Sequence, residues 1–439
     1  MTCRIVKNWS KDLIQLVPKP QKMIKIILLP LFFLCLPVAA KETKIKALPV
    51  STPEEVGMSP EVLAKIDPAL EELIEKKKLA GGSVLILREG KIVYQKQFGH
   101  ANRAAKVPMK KDTIFRIYSM TKAITSAAAL MLYEEKKLNL DDPITRFLPE
   151  FALLNVWQRR GDPTPAKPMP TIRDLLRHTA GFSYGWGGHP VDRYYGRFQP
   201  LDRDKTLAEM SRSICGAPLL FQPGTRWHYG INTDILGRVI EVASGQTFDA
   251  FLQQRFFAPL GMSDTGFYVP AEKANRLADV YQTKGFFLTN SEPGKASPFL
   301  KKPANLSGGG GLVSTINDYA RFLQMIANGG NFQGKRYLKA DTVKLMTTNQ
   351  LPDEIASISL GEQRYGTGFG LGFSVRIAPD KRWAKDAAIG EYGWGGMAST
   401  HYWISPKDKL VVVTMEQTLP YNWNLERLLK PIVYQAIKE

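Results

Sequence analysis

The stretch SVLILREGKIVYQKQFG, residues 83–99, sets two β-branched and apolar runs around Arg88-Glu89-Gly90-Lys91, a pattern that predicts a β-hairpin. Upstream, an amphipathic segment runs from Ser59-Pro60 to Lys78, just ahead of Gly81-Gly82. The serine can cap a helix and the proline fits its first turn, so this segment reads as a helix. From Ser119 to Glu135 the helical pattern loses its polar face, with Ala127-Ala128-Ala129 in the middle. A helix that is apolar nearly all round belongs at the centre of a fold. Residues 140 to about 310 carry short helical segments, proline-rich loops such as DPTPAKPMPT and no clear strand alternation. Strand patterns return in GFGLGFSVRI, ASTHYWI and KLVVVTMEQ, and SPKD at 405–408 turns between the last two. A final helix is predicted from about Asn424, kinked at Pro431.

Strands at both ends and helices between predict an α/β (α+β) fold. One sheet is built from both ends of the chain and flanked by helices, with a mostly helical subdomain inserted at about residues 140–310. The start of the buried helix and the late strands then lie side by side. A cleft is expected where the helical part meets the sheet.

Composition alters the picture mainly at the N-terminus. The 439 residues are 44% hydrophobic and 23% charged, which fits a globular chain with a large core. In MIKIILLPLFFLCLPVAAKE, from Met23, Lys25 precedes an apolar run that is short for a bilayer span. Val38 and Ala40 then supply the small residues that signal peptidase needs. Residues 1–40 therefore read as a leader with a signal peptide, with Met23 as the alternative start and Lys41 as the first mature residue. Leu34 stands before Cys35 where lipoprotein signals carry a small residue, so lipidation is not expected. Residues 41–57, with Pro49 and Pro53, read as a linker. The expected location is periplasmic or secreted, without stable membrane insertion after cleavage.

Formal charge is +18 for the whole chain and +13 for residues 41–439. It is read as solvated surface charge: Lys136-Lys137 and Lys301-Lys302 are isolated pairs, and no nucleic-acid partner is expected. Beyond residue 40 the sole cysteine is Cys215, which leaves no intrachain disulfide and no cysteine metal site. The five histidines lack metal-site spacing, so no metal or other cofactor is expected.

Two serines compete as nucleophile. Ser183 sits in GFSYG, a G-x-S-x-G run. A nucleophile elbow needs a strand before it and a helix after it. Here the helix-like TIRDLLRH precedes, and a glycine-rich loop with Trp186-Gly187-Gly188 follows. His189, His228 and His401 sit in no signature. Ser119 and Lys122 form the one S-x-x-K of the chain and share a helical face. At a helix N-terminus, Ser119 would meet free N–H groups that favour developing negative charge. Lys122, among apolar neighbours, is a cation that needs a reason to be buried, and taking the hydroxyl proton is one.

The segment IYSMTKAITSAAALMLYEEKKLNLDDPI resembles the catalytic helix of the serine β-lactamase-related family, which holds class C β-lactamases, D-alanyl-D-alanine carboxypeptidases and family VIII carboxylesterases. The likeness extends over roughly residues 55–437, through LLRHTAGF, FQPGTRWHYG, PLGMSDTGF, GGGLVSTINDYARFLQMIANGG and GWGGMAST. It implies a β-lactamase/transpeptidase-like fold with a mainly antiparallel sheet and a catalytic domain at 58–437. It also implies an acyl-enzyme on Ser119, with Lys122 as general base and Tyr229 sharing proton transfer. Trp394-Gly395-Gly396 matches the substrate-binding strand triplet that is Lys-Thr-Gly in many relatives. The backbone N–H groups of Ser119 and Met397 would form the oxyanion hole. His178 would be a framework residue, and Ser183 and Trp186 part of a loop at the cleft rim.

Two departures bear on the substrate. Tyr229-Gly230-Ile231 replaces the usual Tyr-x-Asn, with Asn232 one residue late, and Trp394 replaces the triplet lysine. Both lost groups help relatives recognise the carboxylate and amide of β-lactams and D-Ala peptides. The chain therefore resembles the carboxylesterase branch most closely, and a small-molecule ester or amide is the expected partner. The expected function is hydrolysis of short-chain esters. The alternatives are a β-lactamase or D-alanyl-D-alanine carboxypeptidase, and a non-catalytic cell-envelope binding protein. The matched motifs supply no lysine other than Lys122 for a substrate carboxylate, and Arg226 is the nearest further cation in sequence.

Overall fold

The computed structural model describes residues 45–438 apart from 286, 361 and 380–384, so the leader and residues 41–44 lie outside the described residues. The predicted hairpin forms as β1 (Gly81–Arg88) and β2 (Lys91–Asn102), with a short β3 (Val107–Pro108) at the edge. The chain returns to this sheet late, as β4 (Thr367–Phe369), β5 (Ser374–Arg376), β6 (Tyr392–Gly396), β7 (Thr400–Ser405) and β8 (Leu410–Glu416). The order is β4-β5-β6-β7-β8-β1-β2-β3, and each neighbouring pair is antiparallel. Leu85 pairs with Val413 and Ile86 with Val412, which joins the two ends of the chain at the middle of the sheet.

Alternation along these strands feeds two cores. Val84, Ile86, Trp403 and Val412 pack with α1 (Ile66–Glu75) and α5 (Asn424–Gln435). Leu85, Leu87, Val411 and Val413 share the other core with α2 (Thr121–Glu134) and α4 (Ile316–Ala327). Burial on both faces explains why KLVVVTMEQ is a nearly continuous apolar run. Every residue of α2 from Thr121 to Leu132 is buried, as its sequence predicts. It packs against α3 (Asn232–Ser244).

Some details differ from the sequence pattern. The amphipathic stretch after Ser59 is broken into a short helix, Pro60–Leu63, and α1; the Ser59 hydroxyl caps the first. Residues 45–57 of the expected linker lie along the body: Leu48 and Val56 are buried, and Val50 bridges Ile92. Pro431 sits inside α5, which runs on to Gln435. The region 140–310 is built of short helices joined by long irregular stretches, and it also holds a hairpin of Val280–Lys284 with Phe287–Glu292. Its second strand is exposed along most of its length, so no apolar alternation announced it.

Glu416, at the end of β8, is fully buried, and its Oε1 has no hydrogen-bond partner. Burial pushes its carboxyl up from 4.5 to about 8, against a donated bond from Thr418. A raised folded-state pKa gives a contribution to stability that is complete below the unfolded value and lost as pH rises through the folded one. Glu416→Gln is therefore expected to flatten the fall in Tm between pH 5 and pH 9. An unchanged slope in thermal melts would contradict this.

Candidate active site

Ser119 lies in a tight turn, Tyr118–Met120, that runs directly into α2, and Lys122 occupies the first turn of that helix. Tyr118 has φ 41°, in the left-handed region, which costs a non-glycine residue about 1–3 kcal/mol unless its surroundings hold it. They do. Ile117 N donates to Leu312 O (3.1 Å), Leu312 N to Thr121 Oγ1 (3.1 Å), and the Tyr319 hydroxyl to Met120 O (2.8 Å). Strand β6 then comes alongside. A Cβ on Gly396 would stand 2.4 Å from Ile117 O, so only glycine lets the strand lie against the serine turn.

Lys122 is 1% exposed. Its Nζ donates to Gly309 O (2.6 Å) and Tyr184 Oη (3.0 Å), and lies 3.4 Å from Ser119 Oγ. The ring of Tyr229 lies 4.6 Å from Nζ and that of Tyr184 5.3 Å. Among the described residues no carboxylate pairs with Lys122 directly. The compensating charge is Asp234, at the start of α3 and also buried. It accepts from Tyr184 Oη (3.1 Å), from Gly309 N (3.0 Å) and from the Ser307 hydroxyl. The two groups that hold the lysine are thus held in turn by one aspartate. A Cβ on Gly309 would fall 2.2 Å from Asp234 Oδ2, which is why a glycine stands there. Burial first, then the charge of Asp234, pushes the Tyr184 phenol well above its ordinary value, so it remains a donor.

Trp394 Nε1 donates to Tyr229 Oη at 3.3 Å. Tyr229 reaches Lys122 through its ring face, with no hydrogen bond to Lys122 or Ser119. His178 lies beneath it, ring to ring at 4.9 Å, fully buried, and burial holds its imidazole well below the usual range. Asn232 is buried, with its side-chain amide 2.9 Å from His178 Nδ1, and it is not among the residues that line the cleft. His178 is therefore part of the framework, as expected.

Ser119, Tyr229 and the run Trp394–Met397 all line one cleft of ≈ 420 Å³, with mostly apolar walls. Trp186 is on its rim, 66% exposed. Ser183 is not in the cleft lining: it is buried, donates to Asp192 Oδ1 (2.5 Å) and accepts from Gly185 N (2.9 Å). Its hydroxyl closes a turn. The residue beside it, Tyr184, was missed because no short spacing links it to Lys122. The expectation about cations needs correction. Arg226 is exposed and outside the lining, whereas Arg203 and Arg364 line the cleft. Arg203 lies over the Phe299 ring (4.5 Å) and donates to Pro298 O and Lys301 O; Arg364 lies over Trp423 (4.4 Å).

The chain belongs to the beta-lactamase family, whose family model matches residues 66–433. Esterase EstB of Burkholderia gladioli is 30% identical over 386 residues, covering 81% of this chain and 90% of that protein. An uncharacterised protein of Mycobacterium tuberculosis is 34% identical over 363 residues, covering 80% and 89%. Among solved structures, EstCE1, a hydrolase with promiscuous acyltransferase activity, superposes with TM-score 0.72 at 26% identity, covering 85% of this chain and 99% of that one. The fold is thus the antiparallel β-lactamase-like architecture expected from the sequence.

The hydrogen-bonded path from Lys122 through Tyr184 to Asp234 generates a test. Asp234→Asn and Tyr184→Phe are each expected to lower kcat on an ester by about 100-fold, the lower end of the range for a lost proton-transfer partner, with little change in KM. Steady-state kinetics on variants with a native thermal melt would check this, and wild-type kcat in both would contradict it.

Proposed function

We propose that the protein is a serine carboxylesterase that works through a covalent acyl-enzyme on Ser119. The observation that carries the reading is Ser119 Oγ lying 3.4 Å from a buried lysine whose other partners are neutral oxygens. Lys122 takes the serine proton as Oγ attacks the ester carbonyl. The resulting oxyanion is met by the backbone N–H groups of Ser119 and Met397. As the carbonyl re-forms, the alcohol leaves with the proton from Lys122, whose charge is stabilised meanwhile by the face of the Tyr229 ring. Water then repeats the sequence and frees the acid. Gly395 and Gly396 line the same cleft beside Ser119.

Short-chain esters are favoured by the apolar cleft wall, by Trp394 in place of a lysine, and by the likeness to an esterase. Arg203 and Arg364 favour a second reading, hydrolysis of a carboxylate-bearing amide such as a β-lactam or a D-Ala-D-Ala peptide. Export belongs to the proposal too, on residues 23–40 alone, and a mature N-terminus at Lys41 is the observation that would support it.

A substrate panel separates these readings. The expected order of kcat/KM places p-nitrophenyl butyrate above a chromogenic cephalosporin and a D-Ala-D-Ala peptide. Ser119→Ala is expected to lower ester turnover by about a thousandfold or more, because such catalytic units fail as a whole. A higher kcat/KM on the cephalosporin would overturn the ester preference. Ester turnover untouched by Ser119→Ala would overturn the mechanism, and no turnover of any substrate would leave a binding protein.

A further inference from the structure

The rim of the cleft carries a large aromatic side chain that the mechanism does not use. Trp186 stacks on Tyr184, with centroids 4.4 Å apart and planes 11° from parallel, while 66% of the residue stays exposed. Gly185, Gly187 and Gly188 surround it in sequence, so its immediate chain neighbours carry no side chain that could cover the indole. Beside it on the rim is Leu201, 38% exposed. These two side chains, with Tyr184, line the catalytic cleft and also a second cavity of ≈ 490 Å³ bounded further by Tyr195, Gln199 and Pro200. An apolar ridge therefore stands between two spaces, each of the size that small organic ligands fill. Apolar surface left open inside a polar rim marks a place where a ligand lands.

The proton path indicates which half of the substrate meets this ridge. The proton that leaves with the alcohol must be delivered to the leaving oxygen over a hydrogen-bond distance. It resides on Lys122, whose Nζ is 3.0 Å from Tyr184 Oη, and the Tyr184 ring is the one on which Trp186 lies. The leaving oxygen thus faces the Tyr184 side of the cleft, and whatever is bonded to it runs out over Trp186. An indole with one face already stacked offers its other face, and flat rings in offset stacking fit it best. We infer that Trp186 is the stacking platform for the alcohol half of the substrate, and that the site takes esters of flat aromatic or fused-ring alcohols whose distal part extends past Leu201 into the second cavity. This rests on the esterase reading and names the substrate class for that same site.

Two ester series on the full chain test it. In one the acyl group is fixed and the alcohol grows, from ethyl butyrate to 2-naphthylmethyl butyrate. In the other the alcohol is fixed and the acyl group grows, from ethyl butyrate to ethyl 2-naphthylacetate. Trp186→Ala is expected to lower the naphthylmethyl-to-ethyl ratio of kcat/KM about tenfold, mainly through KM, a loss on the scale of one aromatic stacking contact. Trp186→Phe should restore most of that ratio, and the acyl-series ratio should stay within about a factor of two, below what even a weak stacking contact is worth. An unchanged alcohol-series ratio would overturn the inference, even if both rates fell together, because Trp186 would then only brace Tyr184. A fall confined to the acyl series would overturn it as well. Absence of turnover for every ester in the wild type would remove the esterase reading itself, and this inference with it.

Discussion

Everything in this site follows from a lysine amine buried with no carboxylate in direct contact, which must carry a charge once it has taken the serine proton. Removing a charge from water is expensive unless hydrogen bonds satisfy it. Lys122 is satisfied by a carbonyl and a phenol, with the aspartate set one hydrogen bond further back. A carboxylate in direct contact would hold the proton on the lysine more firmly. The indirect arrangement keeps the charge compensated while its partners stay neutral, and it leaves Ser119 Oγ within reach.

That arrangement needs parts from distant stretches of chain to meet within a few ångströms. The serine turn leads into α2, Tyr184 comes from the loop around residue 185, Asp234 from α3 and Gly309 from the glycine run before α4. The sheet built from both ends of the chain brings β6 to the same place, and its contact with Ile117 is so close that Gly396 can carry no side chain. The strained φ at Tyr118 is held by bonds to Leu312 and Tyr319 on either side of it. Catalytic geometry and packing are here the same set of contacts.

Much of this was legible in the sequence wherever the signal is local. The hairpin at β1 and β2, the all-round apolar α2 and the late strands follow from periodicity alone. Ser119 with Lys122 is a short-range spacing, and the burial of α2 is what made the lysine noteworthy. Tyr229, Trp394 and Met397 came from the family likeness, and the structure brings all three to one cleft with Ser119. Tyr184 and Asp234 stayed hidden because a buried hydrogen-bond path between residues 122, 184 and 234 leaves no spacing to read. Arg203 and Arg364 were hidden for the same reason, so Arg226 stood in for them on sequence proximity alone. The hairpin at 280–292 was missed because its outer strand faces solvent, and the lead-in at 45–57 because a segment can pack with few apolar residues.

The central claim is that Lys122 makes Ser119, and not Ser183, the nucleophile. Mass spectrometry after reaction with a fluorophosphonate addresses it directly. The account predicts an adduct on the peptide holding Ser119 in the wild-type protein, and none at comparable exposure times in a folded Lys122→Met variant. An adduct on Ser183, or labelling of Ser119 at the same rate without Lys122, would contradict it.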